Sequence, residues 1–341
     1  MNKKIICFGE PLVRLTSPYG KRLADSGQLE FHYGGSEMNV AISLAQMGLN
    51  SSFLTAIPDS AVGEGLLNTL RKNSVDTSDL ISNGGRFGLY FHEQGAAFRG
   101  AKVMYDRQFT AFSQVELSNF DIESAFEEAS WLHLSGISPA VSKEAADCSL
   151  GLVHQAKAKG LRISVDLNYR QNLWAYGIPP HQIMPEIVKH ASVLLGDPGT
   201  INLMMGTSVP VSDRYRSGEE LLESYEELGS LYPNLDVIAM LMRQVHSANH
   251  HTVNGVLYKD GMINESRAME ISPIVERIGS GDAFMAGLIY GLIHFSVMKS
   301  VLDYATTACA LKMTSLGDYS TFSAEEIDSY RKQTKNGKIS R

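Results

Sequence analysis

Apolar residues in this chain fall into short blocks set off by polar punctuation, and the spacing of those blocks predicts most of the secondary structure. Lys4 to Gly9 is an apolar run closed by glycine, the pattern of the first buried strand of an α/β sheet. Leu12 to Leu15 and Leu29 to Tyr33 are β-like runs around a polar, turn-rich insert, Thr16 to Gln28. Gly34-Gly35 then opens an amphipathic helix, Ser36 to Met47, ended by Gly48. A strand at Ser52 to Ala56 and a helix around Glu64 to Lys72 follow. Phe87 to His92 and Ala97 to Tyr105 are again β-rich, with no helix between them, which breaks the strand–helix alternation. Together with the earlier short strands they predict a small sheet standing off the main body, a lid over a substrate cleft.

From residue 120 the alternation is regular. Trp131 to Leu134, Arg162 to Leu167, Ser192 to Leu195 and Val237 to Leu241 read as buried strands. Helices are expected between them at Lys143 to Lys159, Pro180 to His190 and Glu219 to Leu231, the last with a capping box from Ser217 to Glu220. A β pair, His251 to Tyr258 and Ala268 to Ile271, leads into a helical final third: Asp282 to Phe295, Val297 to Thr314, and a helix capped by Ser323 and Glu326. The pattern predicts one domain over residues 1–331 with a mostly parallel central sheet, lid strands from about 12–33 and 87–112, and a basic tail, 332–341, that frays.

Composition narrows the partners. The 341 residues carry a formal net charge of −7, which argues against nucleic acid or an anionic membrane surface. No apolar run approaches membrane-spanning length, and the N-terminus lacks a leader core, so a cytoplasmic location is expected. Cys7, Cys148 and Cys309 are scattered in apolar surroundings and read as buried thiols.

The stretch Val275 to Phe284 carries the most chemistry. Gly279 and Gly281 allow successive N–H groups to converge at the start of a helix, where the unpaired donors and the macrodipole favour an anion. Asp282 lies in the same turn, a poor neighbour for a phosphate unless it takes a proton from a group attacking that phosphate. The same Gly-Ser-Gly-Asp also suits an ordinary helix cap. Four further stretches hold polar residues that a core pattern does not need. Gly34 and Gly35 allow a ligand close to the backbone, and Asn39 lies one turn into the helix. Tyr90 with Tyr105 and Arg107 offers aromatic plates and a guanidinium to a sugar-sized anion, or else a solvated edge strand. Arg170, after Asp166-Leu-Asn-Tyr, stands past a strand end, where open α/β sheets bind ligands. Asp197, in Gly196-Asp-Pro-Gly-Thr200, could hold a hydrated Mg2+ or simply form a turn. No Walker loop is present, and Gly9-Glu10-Pro11 is not a dinucleotide fingerprint.

The paired signatures Gly34-Gly-Ser-Glu-Met-Asn39 and Gly279-Ser-Gly-Asp282, with the lid insert between them, resemble those of the ribokinase-like (phosphofructokinase B) sugar kinases from Lys4 to about Tyr330. The resemblance implies a three-layer α/β/α fold with a β lid, ATP and Mg2+ as cofactors, and a homodimer or larger assembly through the lid. Gly9-Glu-Pro-Leu-Val13, Tyr105-Asp-Arg107, Leu134 to Ala140 and Asp166 to Gln171 are most similar to members acting on 2-keto-3-deoxygluconate. By that resemblance Gly34, Gly35, Asn39, Tyr90, Tyr105, Arg107 and Arg170 hold the sugar acid, and Asp282 deprotonates its terminal (6-) hydroxyl. Residues Gly279, Ser280 and Gly281 line the anion hole, and Asp197 and Arg243 face the nucleotide.

Many relatives that bind neutral sugars have an aspartate near the end of the first strand; Arg14 stands at the corresponding position here. The residues before the glycine turn are Glu276, Arg277 and Ile278 where Asp-Thr-Thr is common. Thr200 replaces the glutamate of an Asn-x-x-Glu motif, and Arg243 replaces a glycine. A kinase for a neutral ketose such as fructose, or a non-catalytic sugar-acid sensor, are the alternatives these departures leave open.

Overall fold

The structure, a computed structural model, describes residues 3–212, 215 and 217–332. The strand Lys4–Phe8 is buried at every residue, and its alternation serves two cores. Ile5 and Cys7 pack toward the helices Ser36–Gln46, Ser280–His294 and Met298–Lys312 on one face. Ile6 and Phe8 pack toward Lys143–Ala158, Met184–Val188 and Leu222–Leu231 on the other. A strand buried on both faces needs apolar residues at consecutive positions, which is why Ile-Ile-Cys-Phe carries no polar alternation.

The central sheet has nine strands. Reading across it, Ser51–Leu54, Lys4–Phe8, Ala129–Ser135, Arg162–Asp166, Val193–Leu195 and Val237–Ser247 are parallel neighbours. His250–Lys259 then pairs antiparallel, and Met262–Glu265 and Met269–Ile271 both pair with it. This is the expected three-layer architecture.

The lid is a four-stranded sheet in the order Glu30–Gly34, Leu12–Thr16, Gly88–Glu93, Lys102–Asp106. Register assigns its faces. His32, Arg14, Tyr90 and Tyr105 form one cross-strand row, and Phe31, Leu15, Phe91 and Met104 form the next, on the opposite face. A second tie joins lid and body: Ala248 N–H donates to Ala97 O at 2.7 Å, and Ala97 N–H to Asn249 Oδ1 at 3.1 Å.

Several boundaries differ from the pattern reading. The strand expected to stop at Leu241 runs on to Ser247 because His250–Lys259 pairs along its length. Only Lys102–Asp106 of the Ala97 to Tyr105 run is strand; residues 94–101 form the loop that meets Ala248. The helix expected at Pro180 to His190 divides into a 3-10 turn, Pro180–Gln182, and a short helix, Met184–Val188, since Pro185 supplies no N–H to continue the first turn. Ser217 makes no side-chain cap; Glu265 accepts from Gly218 N–H at 2.9 Å instead. The capping box at Ser323 and Glu326 is present in both directions. Of the tail expected to fray, residues 333–341 lie outside the described residues.

Candidate active site

Apart from Gly34 and Asp197, every residue expected from the sequence to bind or react lines one cavity of about 550 Å³ between the lid and the sheet's strand ends. Gly279 has φ +75°, and a Cβ there would lie 1.6 Å from Asp318 O, so the turn into helix Ser280–His294 requires glycine. Gly281 is different. It is helical, and a Cβ on it would meet nothing within 4 Å: its missing side chain leaves open space above the helix start. The N–H groups of Gly281 and Asp282 have no helical carbonyl one turn back, so they are available to an anion.

Asp282 is 9% exposed and held at both oxygens. Ser36 Oγ donates to Oδ1 at 2.8 Å and Asn39 Nδ2 to Oδ2 at 2.7 Å. Asn168 Nδ2 in turn donates to Ser36 Oγ at 3.0 Å. Burial pushes the Asp282 carboxyl up to about 6, against the pull of those hydrogen bonds. Asp166, at the end of its strand, is raised to about 7 by burial and by the charge of Asp282. Glu37 anchors the helix start that presents Ser36 and Asn39, accepting from Ser135 N–H, Ser135 Oγ and Ser138 Oγ. Asn39 therefore points at the Asp282 carboxylate as well as into the cavity.

The arginines sort by what they already hold. Arg14, 1% exposed, pairs with Glu276 through its two terminal nitrogens and lies 2.9 Å from Asp318 Oδ1 through Nε, so it is not free for a ligand. Tyr90 Oη donates to Asp318 as well. Arg107 is buried against Glu10, with Nε at 2.6 Å, and its guanidinium lies 5.8 Å from the centre of the Tyr105 ring. Arg170 is exposed and, among the described residues, donates only to the carbonyls of Asn168 and Tyr169. Arg243 reaches the glycine turn, donating to Ser280 Oγ at 3.0 Å.

Two expected positions need correction. Gly34 does not line the cavity; the Asp318 carboxylate fills the place its side chain would take, 2.2 Å from a built Cβ. Asp197 caps the helix Pro198–Met205, accepting from Thr200 N–H at 3.0 Å and Thr200 Oγ1 at 2.6 Å. Its turn-forming role is what the structure shows, although it borders a neighbouring cavity of about 360 Å³ that shares Asp166, Asn168, Arg170 and Gly281 with the main one. Among the described residues no cluster of three or more His, Cys, Asp or Glu is arranged to hold a metal ion. Glu10, Ser36, Asn168, Glu276 and Asp318 belong to the site without having been singled out. All but Asp318 lay inside quoted stretches, with no role given to them; Asp318 sits in a loop, where periodicity carries no signal.

Residues 2–225 match the profile of the pfkB family carbohydrate kinases. The chain belongs to that family. It is 26% identical over 328 residues to the 2-dehydro-3-deoxygalactonokinase of Haloferax volcanii, covering 96% of each chain. It is 26% identical over 320 residues to the 2-dehydro-3-deoxygluconokinase of Thermoproteus tenax, covering 92% of this chain and 89% of the other. The crystal structure of 2-dehydro-3-deoxygluconokinase from Thermotoga maritima superposes with a TM-score of 0.91 at 34% identity, covering 97% and 100%. Among the described residues no helix is long and apolar enough to cross a membrane.

Proposed function

We propose that this pfkB carbohydrate kinase phosphorylates the terminal (6-) hydroxyl of 2-keto-3-deoxygluconate, or a close sugar acid, at the expense of ATP with Mg2+. The observation that carries the reading is Asp282 at an open glycine turn, inside a cavity that also presents Arg170 and the Tyr90–Tyr105 plates. The names of the two curated relatives and of the similar solved structure support a 2-keto-3-deoxy sugar acid.

Asp282 takes the proton of the sugar hydroxyl while that oxygen bonds to phosphorus and the bond to the leaving nucleoside diphosphate breaks. Its Ser36 and Asn39 hydrogen bonds fix the carboxylate without using all of its lone pairs. The Gly281 and Asp282 N–H groups stabilise charge on the transferring phosphoryl group, and Arg243 adds a cation beside Ser280. The residues present fit these cofactors. The open space over Gly281 suits nucleotide phosphates. Asp166 borders both cavities and accepts from Asn168 N–H at 3.1 Å, so it is the carboxylate placed to hold a hydrated Mg2+. That ion would neutralise phosphate charge. Tyr105, Arg107 and Arg170 orient the sugar acid.

One observation favours the neutral-ketose alternative: Glu10 already offsets the charge of Arg107, leaving Arg170 as the cation on the sugar side without a carboxylate partner among the described residues. An assay of ADP release with product identification, across 2-keto-3-deoxygluconate, 2-keto-3-deoxygalactonate, 5-keto-2-deoxygluconate, fructose and ribose, separates the readings. Fastest turnover on fructose or ribose would overturn ours, and binding without any phosphorylated product would make the protein a sensor.

A further inference from the structure

The two arginines nearest the glycine turn are not equivalent to the others. Arg243 projects from strand Val237–Ser247, and Arg277 stands two residues before Gly279; both line the main cavity. Among the described residues no carboxylate pairs with the Arg277 guanidinium and no hydrogen bond holds that group; only the Arg277 carbonyl is used, accepting from Ser280 N–H at 3.2 Å. Its neighbour Glu276 is committed to Arg14 and to Gly317 N–H, the latter at 2.8 Å. Asp282, the acid of the same turn, is turned toward Ser36 and Asn39. Desolvation against the cavity wall and the charge of Arg243 pull the Arg277 pKa down, so the guanidinium feels another cation and no compensating anion.

Two like charges beside a helix N-terminus, with no acid between them, form an uncompensated positive site. The arrangement is costly in isolation and favourable when a multiply charged anion enters. Arg277 also forms part of the wall between the main cavity and a second one of about 350 Å³ beneath the lid loop, where His92 and His251 are buried. Burial lowers both histidines to about 4, so at neutral pH neither competes with Arg277 for an anion.

We infer that Arg277 is a catalytic residue: its guanidinium contacts the transferring phosphoryl group held at the Gly281 and Asp282 N–H groups and, with Arg243, closes a two-arginine clamp on it. The inference rests on the kinase reading above. A guanidinium there supplies fixed charge that meets developing negative charge in the transition state.

The test compares wild type, Arg277→Ala, Arg277→Lys and Arg86→Ala, a charge removal from the exposed Arg86–Asp106 pair that serves as control. Steady-state rates are measured on the best sugar acid, and calorimetric affinities for ADP alone and for ADP with aluminium fluoride and sugar. Arg277→Ala is expected to lower kcat by about 10²-fold, with the sugar KM within about twofold. Affinity for the aluminium fluoride complex should fall by a similar factor while ADP alone changes little, and lysine should restore part of both. Unchanged kcat, or an equal loss for ADP alone, overturns the clamp while leaving the kinase reading intact. A wild type that phosphorylates no sugar acid overturns the kinase reading itself and the clamp with it. Arg277 is exposed, and a melting temperature matching wild type confirms that lost rate is not lost fold.

Discussion

Asn39 donates its side-chain amide to the carboxylate of Asp282 at 2.7 Å, joining two signatures 243 positions apart. The first signature thus acts on the chemistry of the second, through a helix whose start is pinned by Glu37. Replacing Asp282 by Asn keeps the size of the side chain and removes its basicity. Turnover of Asp282→Asn is expected to fall by at least about 10²-fold, with sugar and nucleotide affinities nearly unchanged by calorimetry. Near-normal turnover would remove Asp282 from the role of base.

The pH profile should carry the same signature. As the proposed base, Asp282 would work only when ionised, and its carboxyl is raised to about 6, so kcat/KM should fall as pH drops through that value. Asp166, raised to about 7 partly by Asp282, titrates with it, and the acid limb belongs to the pair. Asn39 favours the charged form of Asp282. Asn39→Leu is expected to move the limb upward by up to about one pH unit. A limb that stays in place or moves downward counts against Asp282 as the titrating base.

Charge on the substrate separates the two arginines of the sugar side. Arg170→Ala should weaken a sugar acid by about 10²-fold and a neutral ketose much less, because a charge-assisted hydrogen bond contributes about 1.5 to 3 kcal/mol. Arg107→Ala should weaken both, since it also strands Glu10 beneath the lid. Equal losses for acid and neutral sugar in Arg170→Ala would point to the ketose reading.

Arg14 is expected to be a stability residue. Its removal leaves Glu276 and Asp318 buried without their common partner, so Arg14→Met should cost about 3 to 5 kcal/mol in urea unfolding. Arg86→Ala breaks an exposed pair and should cost less than about 1 kcal/mol. Similar small costs for both would mean the buried acids find other partners.

We propose that the lid face away from the cavity pairs two copies of the chain. Phe31 and Met104, 47% and 56% exposed, end the apolar row that runs through Leu15 and Phe91. Sedimentation should give a dimer for wild type and a monomer for Met104→Glu. A wild-type monomer at micromolar concentration removes the proposal.

Where the sequence was legible, burial made it so. The continuous apolar run at Lys4–Phe8 and the glycine-closed helix from Ser36 had physical reasons to look as they do, and the fold followed from them. The glycine turn was equally visible, because φ +75° at Gly279 against Asp318 O leaves no other residue possible. Partners were not visible. Nothing in a one-dimensional pattern says that Glu10 neutralises Arg107, that Glu276 and Asp318 consume Arg14, or that Thr200 occupies Asp197. An arginine advertises a charge, and only its three-dimensional neighbours say whether that charge is free.

The Arg14 cluster also bears on how substrate gets in. Arg14 belongs to the lid strand Leu12–Thr16, while both of its carboxylates belong to the body. Swinging that strand outward would pull a guanidinium from two buried acids, so the inner half of the lid is a fixed wall. Opening for sugar and product is then expected at the loop of residues 94–101, which meets Ala248, Asn249 and Val275 through hydrogen bonds, while the outer strand Lys102–Asp106 stays anchored where Arg107 pairs with Glu10. Admission to the cavity is then expected to rest on a short loop and not on a hinged jaw.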